Sequence, residues 1–142
     1  MNVLIITTTL LFTNPGFSPD QIEGHWLAGE GQSIIEIYLT DQQYLNGKIV
    51  WLEQPNDKKG RPHTDRMNPD KDLRSQPIIG LRMLENCVYE QGNWQGQLYV
   101  PKKGRTVDVI LTMVGTDELL LTVSFRGFSR EITWYRSQLP NE

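Results

Sequence analysis

Between Gln54 and Pro77 the chain gathers residues that could do ionic chemistry: His63, Asp65, Asn68, Asp70 and Asp72 stand close together. Oxygen ligands at this density could hold a hard cation such as calcium, which takes about six to eight oxygens. The Asp-x-Asp-x-Asp-Gly spacing of an EF-hand loop is missing, and one linear cluster supplies only some of the ligands. Asn-Pro has another use, since an Asn side chain bonds its own backbone and Pro fixes the turn. The expectation is a turn built by Asp65, Asn68 and Pro69, with no metal. On this reading Asp65 accepts backbone N–H groups or pairs with Arg66 or Arg74, pinning the loop across a barrel mouth. His63 and Asp65 could also do acid–base work. No Gly-x-Ser-x-Gly elbow, second nearby His or His-x-x-x-His pair accompanies them. Enzymatic activity is therefore not expected, and no cofactor is implied.

The aromatic residues point to different chemistry. Trp26, Trp51, Trp94, Trp134, Tyr38, Tyr99 and Phe125 fall in separate segments. If those segments are strands of one barrel, the inward members line a shared interior. Trp51, Trp94, Tyr99 and Phe125 are the candidate ligand contacts. An apolar, aromatic lining with few polar groups suits a small hydrophobic molecule. The same side chains fill a solid core equally well, and the sequence leaves both outcomes open.

Two short motifs bracket these segments, Gly24-His25-Trp26 and Trp134-Tyr135-Arg136. Trp26 and Arg136 meet only if the last strand returns to the first, which is the condition for a closed barrel. A guanidinium over an indole face is worth ~0.5–2 kcal/mol. Gly24, Trp26 and Arg136 are thus read as a structural plug at one barrel end, with ligand entering at the other.

The elements that must position these residues follow from a period of two. Ile35, Ile37 and Leu39 alternate with polar neighbours, as do Trp94, Gly96, Leu98 and Val100, and Val107, Val109, Leu111 and Met113. Turn signals such as Asn46-Gly47, Gly115-Thr116-Asp117 and Arg126-Gly127 separate or interrupt the runs. The pattern predicts strands near 24–29, 33–40, 45–53, 77–84, 93–100, 105–114, 118–125 and 130–136. The fold class is all-β, a single antiparallel up-and-down barrel of about eight strands. Such a barrel is either filled by side chains or holds one small ligand.

Composition narrows the partners. A formal charge of -3 over 142 residues argues against nucleic acid, whose phosphates need a basic face. The apolar run Val3–Phe12 carries no charge, is too short to span a bilayer and is broken by Asn14-Pro15-Gly16. Residues 1–19 are read as a signal peptide and 20–142 as the barrel domain. The protein is then exported, to the periplasm or the outside, and is not membrane-spanning. The single cysteine, Cys87, excludes an internal disulfide and is expected to be a small buried hydrophobe.

In this order the motifs resemble those of the bacterial DUF2147 family, exported proteins with a lipocalin-like barrel. The resemblance covers roughly residues 22–137. It rests on Gly24-His25-Trp26-Leu27, Leu45–Leu52, Asp65-Arg66-Met67-Asn68-Pro69, Ile79-Gly80-Leu81, Trp94–Pro101 with Gly104, Arg126-Gly127-Phe128 and Thr133–Arg136. Three positions depart from the family pattern: Val100 replaces an Asp or Asn, Arg105 a Lys, and Val107 a Tyr. What the resemblance implies is a lipocalin-like fold. The function expected is binding or carriage of a small hydrophobic ligand in the cell envelope. The alternative is an envelope interaction module with a filled barrel, working through its long loop and outer faces. An enzyme using His63 and Asp65 is a third reading.

Overall fold

Alternating wet and dry residues make strands that must hide one face, and eight such strands hide it by closing on themselves. A computed structural model describes residues 16–140. Residues 1–15, most of the expected signal peptide, lie outside the described residues. The strands are β1 (Gly24–Ala28), β2 (Ser33–Leu39), β3 (Leu45–Leu52), β4 (Arg82–Glu90), β5 (Asn93–Val100), β6 (Arg105–Met113), β7 (Glu118–Phe125) and β8 (Phe128–Arg136). They form a closed barrel in sequence order, with each strand antiparallel to its neighbours. The seam is short: its register pairs Trp26 with Arg136 and Leu27 with Tyr135, and Ser137 N–H donates to the His25 carbonyl just beyond.

One expected strand is corrected. The fourth runs over 82–90 rather than 77–84. The apolar run Ile78–Leu81 belongs to the returning loop, where Gly80 N–H donates to the Ile49 carbonyl and Ile49 N–H to that of Leu81. Within β4 the period of two is broken at Asn86, whose φ is 52°. Leu84 and Cys87, three residues apart, are consequently both buried, and the β4–β5 register shifts beside them.

The interior is packed at its lower levels. Ile22, Trp26, Ile35, Leu45, Leu84, Cys87, Leu111, Leu119 and Leu121 are all fully buried in one cluster. Burial pushes the Cys87 thiol up to about 11, so it stays protonated and inert at neutral pH. Up-and-down order puts the N-terminal turn Pro19–Ile22, the β6–β7 turn and the end of β8 at one end. The β5–β6 turn, the β7–β8 turn and the 53–81 loop stand at the other.

Candidate functional site

The first end is shut. Trp26 is 0% exposed, and its Nε1–H donates to the Ile22 carbonyl at 2.9 Å. The Arg136 guanidinium lies 4.3 Å from the Trp26 ring centre. Its Nε, Nη1 and Nη2 donate to the carbonyls of Thr116, Glu23 and Gln21 at 2.8, 2.9 and 2.8 Å. One planar fork therefore ties the N-terminal turn, the β6–β7 turn and the last strand together, which a Lys could not do. Gly24 is required here. Its φ is 130°, and a Cβ would stand 2.8 Å from Arg136 Nη1. The expected plug of Gly24, Trp26 and Arg136 is thus assembled as one unit.

Two clefts indent this same end. One of about 680 Å³ runs along Gly24, Asp117, Glu118 and Arg136. The other, about 450 Å³, lies between Phe17–Pro19 and Tyr89, Trp94, Leu111 and Met113. His25 faces outward across from Glu36, with Nε2 3.3 Å from Glu36 Oε2.

The 53–81 loop is anchored by a buried carboxylate. Asp65 is 1% exposed and accepts from Tyr99 Oη–H at 2.8 Å, Asn68 Nδ2 at 2.8 Å and Gln76 Nε2 at 3.3 Å. Three neutral donors compensate the charge, and the expected pairing with Arg66 or Arg74 is absent among the described residues. Arg74 Nε instead donates to the Asn68 carbonyl at 2.7 Å. Asn68 Oδ1 accepts from the backbone of Asp70 at 2.8 Å, the side-chain turn expected ahead of Pro69. Loss of solvent, then the adjacent Asp65 carboxylate, pushes the Tyr99 phenol up to about 12. The loop also presses on the β5–β6 turn, where Gly104 (φ 58°) touches the Met67 carbonyl and leaves no room for a side chain. His63 is exposed; its backbone bonds Pro55 and Ile78.

The second end is less tightly packed on one side. Along β6, β7 and β8 the inward positions change from buried to wet. Leu111 and Val109 are buried, Val107 is half-buried and Arg105 exposed. Leu119 and Leu121 give way to half-buried Val123 and Phe125. Trp134 is buried, Ile132 half-buried, Arg130 exposed and Phe128 82% exposed. The result is a half-buried apolar patch, a cup only in that its inward positions grow wetter toward the mouth. Its rim is cationic: the guanidinium of Arg105 lies 4.4 Å, and that of Arg126 5.1 Å, from the Phe125 ring centre.

The four aromatics expected to share a cavity are not brought together. Trp94 sits in the core at the plugged end, 5.1 Å from the Tyr89 ring. Tyr99 holds the loop through Asp65. Trp51 pairs across from Ile34 because a bulge between Ile34 and Ile35 changes the register, and Trp51 stands outside the core cluster. Phe125 alone reaches the open cup. The Arg105 and Arg130 rim had a readable signal, since each continues the inward parity of its strand, two residues from Val107 and Ile132 respectively.

A family model described as "Uncharacterized protein conserved in bacteria (DUF2147)" matches residues 24–136. Among solved structures, a Helicobacter pylori protein, HP1028, described as belonging to the lipocalin family, superposes with a TM-score of 0.63 at 18% identity. The match covers 81% of this chain and 80% of that one. At that identity it establishes a shared fold. No curated protein matches the chain.

Proposed function

This chain belongs to the DUF2147 family, and from that premise we propose that it is an exported binding barrel, holding a small hydrophobic molecule in the cell envelope rather than catalysing a reaction. The observation that supports this reading is the graded exposure of the inner faces of β6, β7 and β8 at the end opposite the plug. Half-buried Val107, Val123, Phe125 and Ile132 offer apolar surface that a ligand would remove from water, at about 25 cal/mol per Å². The packed lower barrel limits the ligand to the upper part, so it lies partly exposed rather than engulfed. Native mass spectrometry of protein purified from its own host tests the proposal. The expected result is a bound hydrophobic molecule that organic solvent extracts. A clean apo mass, together with no binding of a hydrophobic fluorescent probe, overturns it. The filled lower core supports a second reading, an envelope interaction module that uses the 53–81 loop, and a ligand-free protein would favour it.

A further inference from the structure

The rim of the open cup carries one sign of charge. Arg105 and Arg130 occupy inward positions of β6 and β8, and Arg126 sits in the turn between β7 and β8. Among the described residues no carboxylate oxygen lies within 4.0 Å of any of the three. This is unexpected in a chain of net charge -3, where acidic partners are plentiful. None of the inward positions of β6, β7 and β8 near the mouth is acidic. Glu30, in the β1–β2 turn at the same end, forms no ion pair with them.

Two of the guanidinium groups are also held in place. Arg105 and Arg126 both lie against the Phe125 ring. A stacked guanidinium has less rotamer freedom to lose when a ligand arrives. Its fork matches the oxygens of a carboxylate, phosphate or sulfate. Phe128, paired across from the Phe125 on which these cations stack, presents its ring to solvent. Apolar surface below and unpaired cations above make a complementary pair of features at one place.

We infer that the cup selects anionic amphiphiles, the alkyl chain lying on Val123, Ile132 and Phe128 and the anionic head meeting Arg105, Arg126 and Arg130. The inference rests on the hydrophobic-ligand reading and adds to it the charge of the head group. The occupant is a free amphiphile in solution, not the surface of a bilayer. Its tail needs the inward face of the barrel, which a flat array of head groups does not enter.

Calorimetric titration with decanoate, decanol and decyltrimethylammonium, each below its micelle-forming concentration, tests this. Decanoate is expected to bind roughly tenfold tighter than decanol, with the cationic probe weakest. Arg130→Gln, which removes a cation without touching the Phe125 stack, should lower decanoate affinity and leave decanol binding unchanged. The double change Arg105→Gln with Arg130→Gln should bring the two probes to parity. Equal binding of decanoate and decanol by the unaltered protein overturns the inference while the hydrophobic-ligand reading stands. Absence of binding by all three overturns both. Sedimentation with phosphatidylglycerol vesicles, lost in the Arg130→Gln protein and unaccompanied by decanoate binding, would assign the cations to a membrane surface and also overturn it.

Discussion

Replacing Arg136 by Ala removes the stacking on Trp26 and all three guanidinium hydrogen bonds of the plug at once, and its cost can be worked from the geometry. The guanidinium at 4.3 Å from the Trp26 ring centre contributes about 1 kcal/mol at a partly exposed site. Three hydrogen bonds from a charged donor to the carbonyls of Thr116, Glu23 and Gln21 would add ~1.5–3 kcal/mol each if fully buried. The Arg136 side chain is 29% exposed, so water can replace part of each bond once the side chain is gone. The net loss is about 1–3 kcal/mol, a fall in Tm of roughly 3–15 °C for a domain of this size. Trp26→Phe loses the Nε1 bond to Ile22 as well as indole surface, and should fall in the same range. Thermal melts followed by circular dichroism read both. A double-mutant cycle should return a coupling of ~0.5–2 kcal/mol between the two positions. An unchanged Tm in both single variants would refute the reasoning, and so would strict additivity in the cycle. Arg136→Lys retains the charge without the fork and is expected to recover less than half of the loss.

Other expectations concern the loop and its anchor. Asp65→Asn puts an amide N–H where only acceptors fit; it should loosen the loop and admit protease cleavage between Lys58 and Arg66. The barrel should melt nearly as before, which a limited-digestion gel beside a thermal melt would show. Added calcium or magnesium should leave the Tm of the unaltered protein unchanged, and a cation-dependent rise that disappears in Asp65→Asn would establish a metal site instead. Tyr99, with its pKa pushed up to about 12, keeps its proton in the fold above the pH at which an unfolded tyrosine releases it. Its contribution to stability is therefore complete below about pH 10 and lost as pH rises toward 12. Ultraviolet titration should find one late-ionising tyrosine, moved back toward the ordinary range by Asp65→Asn. Gly104→Ala drives a Cβ into the Met67 carbonyl at a φ of 58° and should cost about 1–3 kcal/mol, visible in urea melts.

Strand parity made most of the barrel legible. The runs at Ile35–Leu39, Trp94–Val100 and Leu119–Phe125 needed only a count of alternate residues, and the Trp26–Arg136 pairing followed from closure. Irregularities defeated the count. Asn86 in a left-handed conformation merged two phases of β4, so the apolar Ile78–Leu81 run stood in for the strand. The bulge opposite Ile34 did the same to Trp51, since a one-residue slip turns a side chain to the other face. The partners of Asp65 were out of reach for another reason: Tyr99 lies 34 residues away, and nothing local encodes that contact. The cationic rim was legible but overlooked, because an exposed Arg reads as ordinary surface until its parity is followed into the barrel.

The short seam also bears on the order in which the molecule assembles. Arg136 joins backbone positions 113 and 115 residues earlier in the chain, whereas most of the other strand pairs are neighbours linked by brief turns. Local hairpins can form before the ends meet, and the entropy of closing so long a loop is recovered only at the final step. Until then β1 and β8 are two bare edges, each able to pair with the matching edge of another copy. The end of β8 removes that hazard, so a chain stopped before Arg136 is expected to collect as open sheets rather than as barrels.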